Sequence, residues 1–339
     1  MNPFTRKPSA SIAALGERGV ISEIRRWLGP ASPASPFGLG DDCAVVPRSR
    51  ALQLVTVDPV IYGQHFDDSV SAGAAGAKLF KRNLSDIAAM GGVPRVAVVA
   101  LAIDPCVSIR WLEQFYRGIA RVSRTYDVPI VGGDVAQLSG GIVATLTLLG
   151  AASPRNRRIL TRSGARAGDW ICVTGCLGGS RRSHHWSFTP RLREGEWLAG
   201  RPEVVAMMDV SDGLAKDLDS LTPGGTIARL DPCEVPLSRQ ARAASRASGL
   251  APLAHALGDG EDYELAFVIR DSTDFASFAR VWKRAFPRVR LSRIGRFFRR
   301  SSISVAPVDW IDAEIYGGFE HLRLMPRGTP HRAPTRRRT

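Results

Sequence analysis

The pattern between Ala77 and Ile103 constrains this chain more than any other stretch. Ala77, Phe80, Leu84 and Ile87 recur every three or four residues, which makes one face of a helix apolar. Gly91 and Gly92 stop that helix, and Pro94 stands just beyond. Arg95–Ile103 then reads as a continuously apolar strand. Its core, Val96–Ile103, is the longest apolar run in the chain and far too short to cross a bilayer. Asn83 and Asp86 lie three apart on the helix, off its apolar stripe. Small residues at the helix end (Ala88, Ala89, Gly91) would let a bulky ligand approach Asp86 closely.

The same alternation recurs along 339 residues, enough for two domains. Strands are expected at Leu52–Val57, Val128–Val131, Gly141–Gly150, Asp169–Thr174, Val204–Val210 and Leu265–Ile269. Amphipathic helices are expected around Ile21–Leu28, Trp111–Val122, Leu214–Leu221 and Phe275–Phe286. Strands interleaved with helices in both halves predict a mixed α/β architecture. The expected layout is a flexible leader at 1–15, a first domain at 16–150, a second at 151–325, and a disordered tail at 326–339. The basic, turn-rich Ala151–Gly168 marks the boundary.

Apolar residues form 44% and charged residues 23% of the chain, as in soluble globular proteins. Met1–Leu15 carries no apolar core of the signal-peptide kind, so a cytoplasmic protein without membrane contact is expected. The five cysteines are scattered and lack Cys-x-x-Cys spacing, which favours buried reduced thiols over a disulfide or metal role. Formal charge is +14, of which the tail's five arginines supply five and the rest of the chain +9. That excess favours a polyanionic ligand, nucleotide or nucleic acid.

Acids stand out at the expected element ends. Gly38-Leu39-Gly40-Asp41-Asp42 precedes an apolar run, Asp58 follows a strand, Asp86 closes the central helix, and Asp134 follows Gly132-Gly133. In the second half Asp209 and Asp212 flank a turn, and Gly260-Glu261-Asp262-Tyr263-Glu264 precedes a strand. Turns favour aspartate, and a lone one is ordinarily solvated. Four in one domain, two of them in Gly-rich turns, fit oxygen ligation of a hard cation such as Mg²⁺, which binds through a few carboxylates plus substrate phosphates. The chain has no P-loop, protein-kinase catalytic loop, Rossmann Gly-x-Gly-x-x-Gly or Gly-x-Ser-x-Gly elbow, and its histidines lack zinc spacing.

These segments, with Thr56-Val57-Asp58, Gly63-Gln64-His65-Phe66, Asn83–Gly91, Thr161-Arg162-Ser163-Gly164-Ala165 and Asp209-Val210-Ser211-Asp212-Gly213, are similar in identity and order to those of thiamine-monophosphate kinases. The resemblance runs from about Gly16 to Leu322. It places the chain in the PurM-like ATP-binding superfamily, with aminoimidazole ribonucleotide synthetase, selenophosphate synthetase and the hydrogenase-maturation dehydratase. It implies a two-domain fold whose N-terminal half binds ATP and forms a homodimer. It further implies that Asp42, Thr56, Asp58, Asp86, Asp134, Asp209 and Asp212 organise Mg²⁺. Gly133, Asp134, Arg162 and Ser211 would contact ATP, and His65, Glu261 and Phe319 would face thiamine monophosphate. The implied reaction passes the γ-phosphoryl group directly to the acceptor phosphate, with no residue assigned as general base.

The chain departs from the family pattern in places. Val135-Ala136-Gln137 follow Asp134 where Thr-Thr-Arg is usual, and Gly179-Ser180-Arg181-Arg182 stand where an acid and small residues are usual. Val57 replaces a Thr, Phe319 a Tyr, and Gly258-Asp259-Gly260 a Ser-Gly-Gly turn. Arg181 or Arg182 could restore the positive charge lost after Asp134. Two alternatives stay open: a related phosphotransferase with another small acceptor, and a nucleotide-sensing or nucleic-acid-binding homologue without turnover.

Overall fold

A computed structural model describes residues 2–34, 37–39, 46–48 and 50–319. It divides into two compact units, one of residues 1–87 and 92–157, the other of 88–91 and 158–339. The expected Asp42 site and the basic tail lie outside the described residues.

The first unit holds α1 (Gly16–Leu28), β1 (Gln53–Ile61), α2 (Ala72–Ala89), β2 (Gly92–Ile103), α3 (Ile109–Tyr126), β3 (Ile130–Gln137) and β4 (Ile142–Ala152). Its sheet runs β1-β4-β2-β3, with β4 antiparallel to both neighbours and β2 parallel to β3. The parallel pair needs a crossover, and α3 provides it. Leu54, Val60, Leu146, Leu148, Val99 and Leu101 are buried on one face of the sheet. α2 lies against that face: a Cβ on Gly150 of β4 would meet Ile87 Cδ1 at 2.7 Å. The opposite face carries Val55 and Val57, 69% and 58% exposed.

The structure departs from the sequence reading at several points. β1 does not end at Asp58; its ladder with β4 continues to Ile61↔Val143. Pro59 can sit inside it because β1 is an edge strand with a donor to spare. Gly132-Gly133-Asp134 is not the turn after a strand but the middle of β3. Gly133 is there for close approach, since a Cβ would fall 2.1 Å from the Val99 carbonyl oxygen. Asn83 is fully buried rather than off the apolar stripe, its Nδ2 donating to Leu79 O at 3.0 Å. The leader is docked: Thr5 N–H donates to Cys106 O (2.8 Å) and Ile12 N–H to Val107 O (2.9 Å), with 3₁₀ turns at Pro8–Ala10 and Ile12–Ala14. Of the four described cysteines, all free, only Cys172 is buried.

The second unit holds β5 (Trp170–Thr174), α4 (His184–Ser187), α5 (Leu192–Ala199), β6 (Val204–Asp209), α6 (Leu214–Leu221), β7 (Thr226–Leu230), α7 (Arg239–Ser248), α8 (Pro252–Gly258), β8 (Leu265–Ile269), α9 (Phe275–Ala285), β9 (Leu291–Arg299) and β10 (Ile311–Asp312). All pairings in its six-stranded sheet, ordered β10-β7-β9-β5-β8-β6, are antiparallel. Ile171, Met208 and Val268 pack with Leu214 and Leu218 of α6 on one side. Cys172, Met207 and Phe267 pack with Leu198 of α5 and Phe278 and Trp282 of α9 on the other. The sheet is thus covered on both faces, which is why every residue of β8 is buried and apolar.

Candidate active site

In the first unit β1 and α2 bring three of the expected ligands together. Thr56 and Asp58 stand two apart on β1, hence on one face of the strand. Arg82 and Asp86 are one turn apart on α2. The Thr56 hydroxyl donates to an Asp86 carboxylate oxygen. Arg82 Nε lies 3.4 Å from Asp58 Oδ2, and Arg82 Nη1 donates to Pro59 O at 2.7 Å. A strand and a helix therefore present hydroxyl and carboxylate oxygens along one seam.

His65 occupies the connection from β1 to α2. Its Nδ1 accepts the Ile61 N–H at 3.1 Å, so Nδ1 is the unprotonated ring nitrogen. Fully buried Lys78 donates from Nζ to His65 O at 2.7 Å and anchors the turn. Gly133 and Asp134 lie elsewhere. Asp58 is in register with Leu146, Leu146 with Val99, and Val99 with Gly133, so β3 is three strand spacings from β1, about 14 Å. Asp134, one residue further, is exposed and paired with exposed Ala100, on the opposite face from Asp58.

In the second unit the antiparallel pairing of β6 with β8, Asp209 opposite Leu265, puts the turn after β6 beside the loop before β8. The two are zipped together: Glu261 N–H donates to Ser211 O (2.7 Å), Tyr263 N–H to Val210 O (2.8 Å) and Val210 N–H to Glu264 O (2.8 Å). Buried Asp209 and the half-buried Ser211, Asp212 and Glu261 are thereby collected. Phe319 joins them, its N–H donating to Asp212 O at 2.8 Å. Lys216 Nζ bridges Asp212 Oδ2 (2.7 Å) and Phe319 O (2.5 Å). The Arg181 guanidinium stands 5.6 Å from the centre of the Phe319 ring. Thr161 O accepts the Met207 N–H at 2.9 Å, which sets exposed Arg162 alongside β6.

Residues to which the sequence assigned no role hold this arrangement. Asp217, in the first turn of α6, accepts the N–H groups of Ser211 (2.9 Å) and Asp212 (3.0 Å) on one oxygen. Burial, then repulsion from Asp209 and Asp212, pushes its carboxyl up to about 8, against the pull of those two N–H donors. Buried Glu264 accepts from Thr174 Oγ1 (2.7 Å) and, bidentately, from Arg191 Nε (2.7 Å) and Nη2 (2.5 Å). His185 Nδ1 lies 3.4 Å from Glu261 Oε2, and the Tyr263 hydroxyl donates to Glu261 Oε1 at 3.3 Å. Glu261 and Tyr263 both hold left-handed backbone, φ 58° and 52°, a conformation costing about 1–3 kcal/mol each that the surrounding bonds must enforce.

The oxygen-only donors of both units suit Mg²⁺. Among the described residues no three His, Cys, Asp or Glu side chains lie close enough together to hold a metal ion by themselves. One or two carboxylates completed by water and ligand phosphates is the ordinary protein share of a Mg²⁺ shell, so the donor set fits that ion.

A four-stranded sheet backed by helices and edged with acids defines the class: residues 40–152 match the family described as AIR synthase related protein, N-terminal domain. Two curated relatives are thiamine-monophosphate kinases. That of Rhodopirellula baltica is 34% identical over 70% of this chain and 77% of its own. That of Escherichia coli K12 is 34% identical over 76% and 83%. The solved structure of AaThiL complexed with AMPPCP and TMP superposes with a TM-score of 0.64 at 28% identity, covering 87% of this chain and 94% of its own. The chain belongs to the thiamine-monophosphate kinase family.

Proposed function

We propose that this protein transfers the γ-phosphoryl group of ATP to the phosphate of thiamine monophosphate, giving thiamine diphosphate. The observation that carries this reading is the similarity, over nearly the whole length, to AaThiL, which is complexed with AMPPCP and TMP. An acceptor phosphate is already ionised at neutral pH, so the transfer needs charge neutralisation and alignment more than a base. We assign Thr56, Asp58, Asp86, Asp134, Asp209 and Asp212, with Asp42, to Mg²⁺, which when bound would neutralise the phosphates these carboxylates would otherwise repel. Gly133, Asp134, Arg162 and Ser211 are assigned to ATP, and His65, Glu261 and Phe319 to the acceptor. The Asp217 and Lys216 bonds support a fixed placement of Ser211, Asp212 and Phe319.

A homodimer is part of the reading. Val55 and Val57 leave an apolar strip on the uncovered sheet face, which a second copy of the chain would bury. A cytoplasmic location accords with the four free described cysteines. Arg181 favours a second reading, a different acceptor, because its guanidinium stands over the ring face on which a cationic thiazolium would stack.

The test is incubation of the full chain with ATP, Mg²⁺ and thiamine monophosphate. Diphosphate formation abolished in Asp86→Asn is expected. No diphosphate above that variant's level would refute the acceptor, and ATP turnover supported by another phosphorylated metabolite would replace it with the second reading.

A further inference from the structure

The Gly-rich turn after β5 borders a cavity of about 250 Å³ in the second unit. No residue assigned above to ATP, acceptor or Mg²⁺ lines it. Its wall includes Gly178, Gln240, Asp262 and Glu264, and Arg288 and Arg290 belong to the same lining. Apart from Cys176 and Val289 every lining side chain is polar or charged, so the cavity is not a slot for an apolar group.

The two wall carboxyls differ in their bonding. Glu264 is satisfied by Thr174 and by the Arg191 fork. Asp262 is not. Its Oδ1 accepts the Gly178 N–H at 2.9 Å, while Oδ2 is buried with no hydrogen-bond partner in a residue only 1% exposed. An unpaired buried carboxyl oxygen is costly and calls for a donor. Burial, with Glu264, Asp259 and Asp217 nearby, raises this carboxyl well above the carboxylate range. A cation beside Oδ2 reverses that cost. Arg191 cannot serve, being committed to Glu264. Arg288 and Arg290, exposed on the segment before β9, offer guanidinium groups to an anion.

We propose that this cavity binds a compact zwitterion, its amino group on Asp262 and its carboxylate or phosphate group on Arg288 and Arg290. A simple anion would meet the Asp262 and Glu264 carboxyls, and a simple cation would be repelled by the two arginines. The volume admits a molecule of amino-acid size and is below that of ordinary drug-sized sites.

Isothermal titration of the full chain tests this with β-alanine as the carboxylate probe and O-phosphoethanolamine as the phosphate probe. Ethanolamine and inorganic phosphate represent the separate halves. Saturable binding of at least one zwitterion is expected, about tenfold or more tighter than either half. Asp262→Asn, which keeps an acceptor for Gly178, and the double substitution Arg288→Gln/Arg290→Gln should each weaken it by about tenfold or more. If Asp262→Asn fails to fold by circular dichroism, the arginine pair, exposed on the surface, carries the test alone. No saturation with either zwitterion would mean that the cavity holds only water and would overturn the proposal. So would unchanged affinity in the folded variants, or inorganic phosphate binding as tightly as O-phosphoethanolamine.

Discussion

Arg191→Met should be the most damaging single substitution in the second unit, and the reason lies in what it leaves behind. The Glu264 side chain is 3% exposed and sits one residue before β8, where its backbone carbonyl also ties down Val210. Wild type gives its carboxylate three donors, two from Arg191 and one from Thr174. Without Arg191 a buried carboxylate keeps one neutral donor. Breaking a buried pair from one side costs about 3–5 kcal/mol, because the remaining charge is uncompensated. For a domain of this size that lowers the melting temperature by roughly 6–20 °C. Differential scanning calorimetry of the full chain gives the measurement. The control is Arg191→Met/Glu264→Gln, which removes the charge along with its partner while Gln keeps an acceptor for Thr174. The double variant should recover most of the loss, since removing both members of a buried pair is far milder than removing one. A single variant as stable as wild type would refute the reasoning. So would a double variant no better than the single, because the cost would then lie in lost packing rather than stranded charge.

Asp217 has its folded carboxyl raised to about 8 from an ordinary 3.8, so its contribution to stability is full below about pH 4 and is lost as pH rises toward 8, at about 1.4 kcal/mol per pH unit. Asp217→Asn, measured by denaturant melts in a metal chelator, should therefore gain on wild type across that window; a constant difference would reject the assignment. Gly133→Ala should destabilise by about 1–3 kcal/mol, since the new Cβ meets backbone rather than a side chain that could turn aside; unchanged thermal unfolding would show that β3 can shift. Val55→Lys/Val57→Lys should convert a dimer to a monomer in sedimentation velocity, and a monomeric wild type would dismiss the proposed pairing.

The elements legible in the sequence were those whose period survives burial on one or two faces. α2, β2, α6 and β8 fall where apolar spacing places them, because packing there requires that spacing and nothing competes with it. Elements rich in arginine were hidden. β9 interleaves Arg293, Arg296 and Arg299 with buried Ile294 and Phe297, and α7 is built of Ala, Arg, Ser and one Gln with only Ala241 buried. Neither presents an apolar run long enough to register. Pro59 and the Gly132-Gly133 pair look like strand breakers until the sheet order is known. Both lie in edge strands, where a missing donor or side chain is tolerated or required.

The site was legible as a set of acids but not as an arrangement, and the cause is topological. Spacing along the chain says nothing about which face of a sheet an aspartate takes. Asp58 and Asp134 both follow apolar runs, yet they lie on opposite faces at opposite edges of one sheet. Asp209 and Glu261 are 52 positions apart, yet they are neighbours because β6 and β8 pair antiparallel and end together. The residues that enforce this, Asp217, Arg191 and Glu264, have no role legible from spacing, even though Glu264 lies in the Gly260–Glu264 segment, since each acts through a backbone N–H or a buried partner contributed by another element. An acid that recognises a phosphate-bridging cation can be guessed from its turn. An acid that only holds the turn in place is visible once the turn has folded, and in this chain two such acids, Asp217 and Glu264, are buried carboxyls held by donors from other segments.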